Sequence, residues 1–258
     1  MDHKDQITNE AKIRFENYES RGHIYTNRTY SHKARKLYTN LRTNKIAECL
    51  AKYLKTNSVA KILDVGCGTG VFLNQLAKKR NDLKLFGVDF SNTMLLEAKH
   101  MLFRDNIESA LIRASAFELP FSDNLFDAII ATRFIHQYSD NLKEELISEM
   151  KRCLNPSGIV IVEFYSFLPR ISRYLFKHQV AGKSLKENLK HCPTRRTVKR
   201  IVGRKYKIIP LMPPGSTKIE RLIGSDGLIF FRNLLEYFRM TFIFDQYLMV
   251  IKKESTLK

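Results

Sequence analysis

Residues 62–70 read ILDVGCGTG, with glycine at three alternate positions directly after a short apolar run. Ile62, Leu63 and Val65 have the composition of a buried strand, interrupted only by Asp64, and Val71 to Ala77 open a helical pattern. A strand that passes through a glycine turn into a helix brings backbone N–H groups up to a ligand. The residues of the loop then narrow the choice of ligand.

A phosphate-binding loop of the GxxxxGK[ST] kind needs lysine and then Ser or Thr after its last glycine, whereas Gly70 is followed by Val71 and Phe72. A dinucleotide fingerprint, GxGxxG, needs glycine at position 71, where valine stands, so the close helix–strand packing beneath a pyrophosphate is lost. What remains is D-x-G-x-G-x-G, with a second acid, Asp89, at the end of the next strand candidate. A carboxylate there can accept two hydrogen bonds from ribose hydroxyls. No Lys or Arg lies inside the loop to meet a phosphate. The expected ligand is nucleoside-like and ribose-bearing, and need not carry phosphate.

Strand candidates stand at 61–65, 84–89, 109–114, 126–132 and 158–164, with helical stretches at 71–80, 92–103 and 140–154. Alternating strands and helices with near-continuous apolar strands predict an α/β fold, a parallel sheet covered on both faces. Residues 1–55 read as helical and are expected to form an N-terminal lid. Residues 56–258 form the main domain, with insertions at about 166–203 and 212–242. Within the first insertion, 168–190 reads as basic helix, and Thr194 as the N-cap of RRTVKRIV, which stops at Gly203. In that segment Val198, Ile201 and Val202 are expected to face the sheet and the charges to face water. Closing strands are expected from Lys205 and from Phe244, with an apolar helix from Leu228 between them.

The chain's net charge of +18 is localised. Residues 1–55 carry 12 Lys/Arg against 6 Asp/Glu, and residues 168–207 carry 13 against the single Glu187, which together account for the whole excess. Such a surface is either solvated or meets an anionic partner. The four cysteines are scattered with no CxxC and no Cys/His cluster, so neither a zinc site nor a disulfide framework is expected. No signal-peptide h-region opens the sequence, and the most apolar run, from Ile159, is too short to span a membrane and contains Glu163. A cytoplasmic setting with no transmembrane segment is expected.

Four stretches taken in order, ILDVGCGTG, GVDFSNTML, ELPFSDNLFDAII and CLNPSGIVIVEF, resemble the successive motifs of class I S-adenosylmethionine-dependent methyltransferases. The likeness runs over roughly residues 58–165 and is nearest the small-molecule branch that includes ubiquinone/menaquinone C-methyltransferases. It implies a Rossmann-like seven-stranded, mostly parallel sheet of order 3-2-1-4-5-7-6 with the last strand antiparallel and helices on both faces. N-terminal helices and a basic helical insertion after strand five are added to that frame. It implies S-adenosylmethionine as cofactor. Gly66, Cys67 and Gly68 would pass under its methionine part, with Asp64 holding the amino group and Asp89 the ribose hydroxyls. Phe90 and Met94 would flank the adenine, and Ser115, Ala116 and Phe117 would meet its edge, Ser115 standing where the family usually has Asp. Gly70 and Thr132 complete the implied cofactor set.

Methyl transfer from a sulfonium is an in-line displacement whose leaving thioether needs no proton, so alignment and desolvation carry most of the catalysis. A base is needed only where the acceptor must lose a proton. His136, after strand four, is the candidate base, with Tyr138, Tyr25 and Tyr30 beside it on the acceptor side. Arg133, which stays protonated, suits an acceptor anion. The expected acceptor is a small organic molecule, anionic or amphipathic. The alternative is RNA, contacted through the basic segment 168–207, although no aromatic residue is interleaved with its Arg/Lys cluster between His178 and Lys205. No metal site is expected.

Overall fold

The computed structural model describes residues 33–54, 59–165, 195–203, 205–212, 216–237 and 246–253, together with Pro193 and Phe244. Seven strands form one sheet: β1 (Ala60–Val65), β2 (Leu83–Asp89), β3 (Ser109–Arg113), β4 (Phe126–Ala131), β5 (Leu154–Tyr165), β6 (Tyr206–Met212) and β7 (Gln246–Lys252). Their order is β3-β2-β1-β4-β5-β7-β6. The first five run parallel, and β7 is antiparallel to both of its neighbours. The order and the reversed last strand are those the sequence motifs imply.

In a pleated strand, neighbouring side chains point to opposite faces, so a strand apolar at every position needs cover on both. In β1, Ile62 belongs to one core and Leu63 and Val65 to the other; in β5, Ile159 and Ile161 alternate in the same way with Val160 and Val162. The first face is covered by α1 (Lys33–Tyr53), α2 (Val71–Ala77) and α3 (Asn92–Arg104), through Ile46, Leu50, Leu73, Leu76 and Leu102. The second is covered by α4 (Asp140–Cys153) and α5 (Arg195–Val202), through Leu146, Ile147, Met150, Val198, Ile201 and Val202. The remaining helix, α6 (Ser216–Tyr237), lies by β6, where buried Arg232 donates to the carbonyls of Leu211 (2.8 Å) and Pro210 (2.6 Å).

Several boundaries differ from those read in the sequence. The helix after the glycine loop ends at Ala77, because the Lys78 and Arg80 amides fold back as a terminal turn onto Asn74 and Leu76. Strand five starts at Leu154, which pairs with Phe126, and a register irregularity before the Ala128–Ile159 pair absorbs Asn155–Gly158. The apolar helix starts at Ser216 rather than Leu228, because the chain stays helical on both sides of a kink at Gly224 (φ 74°, ψ 175°). Tyr25, Tyr30, Thr194 and the basic stretch 168–190 lie outside the described residues.

The basic helix α5 packs as its spacing predicts. Val198, Ile201 and Val202 are buried, while Arg196, Lys199 and Arg200 are exposed, Arg200 reaching Glu144 of α4 (2.7 Å). Val198→Ala is therefore expected to cost about 1–2 kcal/mol in chemical denaturation through the cavity it leaves. Arg196→Ala is expected to stay within about 0.5 kcal/mol of wild type. Equal losses in the two variants would contradict this orientation. No described helix is long and apolar enough to cross a membrane, and no group of His, Cys, Asp and Glu among the described residues could hold a metal ion.

Candidate cofactor site

The parallel strands end together, so the segments after β1, β2, β3 and β4 meet along one edge of the sheet, the usual ligand crevice of an open α/β sheet. The loop after β1 is latched to β2: the Gly66 and Cys67 N–H groups both donate to the Val88 carbonyl, at 2.8 and 3.0 Å. Gly66 adopts φ 72°, and a Cβ built there would lie 2.3 Å from the Phe134 ring. Glycine is required at this position twice over, for conformation and for space. Gly68, at φ 53°, has no atom within 4 Å of where a Cβ would stand. Its bare face borders open space at the mouth of the loop, where a ligand can approach the backbone.

Two carboxylates lie at this loop. Asp89 accepts from the Gly68 N–H through Oδ2 (2.8 Å) and from the Ser91 N–H through Oδ1 (2.9 Å). Burial raises its pKa, and these backbone donors only partly oppose the rise. Asp64 is 2% exposed and finds no hydrogen-bond or ion-pair partner among the described residues. Desolvation, and then the neighbouring Asp89 charge, push its pKa well above the ordinary carboxylate range. Cys67 is buried as well, and its thiol is likewise pushed well up, first by burial and then by both aspartates. It packs as an inert thiol rather than a nucleophile.

The remaining expected cofactor residues lie in the segments that follow β1, β2, β3 and β4. Phe90 is 47% exposed at the rim, its carbonyl accepting from Arg113 Nε (3.1 Å) and its ring lying 5.7 Å beneath that guanidinium. Met94 is buried one turn into α3, its N–H capped by Ser91 Oγ at 3.2 Å. Ser115 Oγ accepts from the Phe117 N–H (3.2 Å), so one of its acceptor sites already serves the turn after β3. Ala116 and Thr132 are half-buried, and Gly70 sits at the N-cap of α2.

An aromatic chain joins the segments after β3 and β4. Phe117 meets Tyr138 edge-on at 5.4 Å, and Tyr138 meets Phe134 at 5.2 Å. His136 lies in a short 3-10 turn (Ile135–Gln137) with its ring edge-on to Tyr165 at 4.6 Å. Arg133 takes φ 55°, uncommon for a residue with a side chain, and its N–H donates to Glu163 Oε2 (3.0 Å). Glu163 also receives Arg42 of α1: Nη2 donates to Oε1 at 3.2 Å, while Nε stands 3.0 Å from Oε2 without the alignment of a good hydrogen bond. Burial would lower the Arg42 pKa, but Glu163 overrides it and holds the guanidinium above its ordinary value. Neither Arg42 nor Phe134 stands out in the sequence. Glu163 does carry a signal, as a lone charge within the apolar run of β5.

Residues 62–158 match the family described as "Methyltransferase domain". That stretch of the chain is similar to methyltransferase domains. Over 105 residues the chain is 31% identical to a demethylmenaquinone methyltransferase of Thermus thermophilus, covering 40% of this chain and 47% of that protein. Over 104 residues it is 35% identical to a demethylmenaquinone methyltransferase of Bacillus mycoides, covering 40% and 43%. The chain spans less than half the length of these curated relatives. Its fold is also that of magnesium protoporphyrin IX methyltransferase of Synechocystis, solved with S-adenosylmethionine bound (TM-score 0.62, 13% identity, 94% of this chain and 97% of that one).

Proposed function

We propose that the chain binds S-adenosylmethionine between Asp64, the Gly66–Gly70 loop and Asp89, and methylates a small organic acceptor. One observation carries the reading: a buried carboxylate with no partner among the described residues, Asp64, stands at a loop whose middle glycine faces open space. A buried anion of this kind calls for a cationic partner. A ligand with an ammonium group at one end and ribose hydroxyls at the other meets Asp64 and Asp89 together. The pyrophosphate of NAD would instead bring negative charge up to two buried acids.

When bound, S-adenosylmethionine supplies an activated methyl group on a sulfonium. The residues of this chain hold and align it. Asp89 fixes the ribose end and, through the Gly68 N–H, the loop itself. Phe90 and Met94 are the proposed adenine neighbours, and Ser115, Ala116 and Phe117 its edge. Phe134 and Tyr138 wall the side on which an acceptor would lie. His136, packed on Tyr165, is the proposed base for an acceptor that must lose a proton. Arg133 is the proposed contact for an acceptor anion.

The RNA alternative loses support from the described part of the basic segment, since α5 spends its apolar side on α4 and Arg200 on Glu144. Calorimetry tests the reading, with micromolar binding of S-adenosylmethionine and none of NAD expected. A titration of bulk tRNA should show only weak, sequence-blind binding at physiological salt. Tight NAD binding, or tight RNA binding with a steep salt dependence, would overturn it.

A further inference from the structure

Glu163 is fully buried near the carboxyl end of β5 and makes contacts in two directions. Toward β4 it accepts the Arg133 N–H and so supports a left-handed backbone that an L residue adopts only at a cost. Phe134 follows directly, and its ring lies against the bare face of Gly66. Toward α1 it pairs with Arg42, 4% exposed, whose guanidinium also lies 4.9 Å over the Tyr38 ring. One carboxylate therefore touches both the N-terminal helix and the bend that presses on the glycine loop.

A buried ion pair is seldom more stabilising than apolar side chains of similar volume, so stability alone is a weak reason for Arg42 and Glu163. Geometry is a better one. We propose that Glu163 is a positioning residue that couples docking of α1 to the cofactor loop, through the Arg133 backbone and the Phe134 ring. The coupling rests on reading Asp64–Asp89 as the S-adenosylmethionine site. It makes ordering of the loop by cofactor and seating of α1 mutually favourable, and such coupling is reciprocal. A second anchor of α1 avoids Glu163: Gln75 of α2 donates through Nε2 to Asn40 Oδ1 of α1 (3.0 Å), and its Oε1 stands 2.9 Å from the Thr43 hydroxyl, whose proton it shares with the Thr39 carbonyl (2.9 Å).

Hydrogen exchange of α1 amides, measured on the full chain with and without saturating S-adenosylmethionine, tests the coupling. In the wild type, cofactor is expected to slow exchange over residues 38–50 by about tenfold, a coupling in the usual range. Glu163→Gln is expected to lose most of that gain. The apolar double variant Arg42→Met/Glu163→Leu keeps the core filled and is expected to lose it too, with a matching rise of about tenfold in the cofactor Kd. Thr43→Val, which weakens the second anchor and leaves Glu163 and Arg42 untouched, is expected to keep it. A gain that survives in the folded double variant, or one lost only in Thr43→Val, would overturn the proposal. Wild-type protein that binds cofactor without any added protection in α1 would also overturn it, and leave the cofactor reading standing. Wild-type protein that binds no S-adenosylmethionine would overturn both.

Discussion

Asp89→Ala is expected to weaken S-adenosylmethionine binding by about 3 kcal/mol, or roughly 150-fold. In the proposed site the residue does two jobs. A carboxylate offers about four acceptor positions, and here the backbone N–H groups of Gly68 and Ser91 occupy one on each oxygen. The Phe90 N–H also bonds this carboxylate, and the acceptor capacity left over serves the ribose hydroxyls; hydrogen bonds to a charged group are worth about 1.5–3 kcal/mol apiece. Alanine removes both ribose contacts and also frees Gly68, so the loop must be ordered again at the expense of binding. Asp89→Asn is expected to fall between, because its amide keeps one acceptor oxygen and offers a donor where an acceptor is needed. Calorimetry on variants whose thermal unfolding remains cooperative measures the effect. Binding by Asp89→Ala within threefold of wild type would show that the ribose lies elsewhere. Methylthioadenosine, which shares the nucleoside and lacks the amino-acid end, should lose affinity in the same proportion.

How far the sequence announces this arrangement depends on the range of the interactions involved. The glycine loop, Asp64 and Asp89 are legible because their constraints are local: a turn of three or four residues, and the end of the next strand. The orientation of α5 is legible for the same reason, since Val198, Ile201 and Val202 mark one helical face within eight residues. Arg42 and Glu163 are different. They are 121 positions apart, and nothing near either one says that the other will neutralise it. Phe134 reads as one more apolar residue after a strand until its ring is found against Gly66. The left-handed turn at Arg133 is hidden too, because arginine gives no local sign of positive φ and a carboxylate from β5 supports it. The start of β5 is hidden because Asn-Pro-Ser-Gly reads as a loop, whereas pairing of Leu154 with Phe126 extends the strand across it.

Asp64 gives the sharpest test of which end of the ligand lies where. Its pKa in the folded protein without ligand is raised, by desolvation first and by Asp89 second. The protonated acid is therefore favoured by folding. Relative to its full value below the ordinary carboxylate pKa, this contribution to stability declines as pH rises and is lost once pH has passed the raised folded-state pKa. Asp64→Asn removes that titration, so its stability should exceed wild type increasingly as pH rises through the same window, as read by thermal unfolding at a series of pH values. Binding should show the opposite preference. An ammonium group placed beside Asp64 lowers its pKa again, so S-adenosylmethionine should release a proton on binding within that window, seen as a dependence of the binding heat on the buffer's ionisation heat. Asp64→Asn should abolish this release and weaken S-adenosylmethionine by roughly 1.5–3 kcal/mol. Methylthioadenosine has no ammonium group and should bind wild type and Asp64→Asn alike, in contrast to its loss in Asp89→Ala. Equal losses of both ligands in Asp64→Asn would mean that the residue only shapes the loop, and the buried acid would then need another cation.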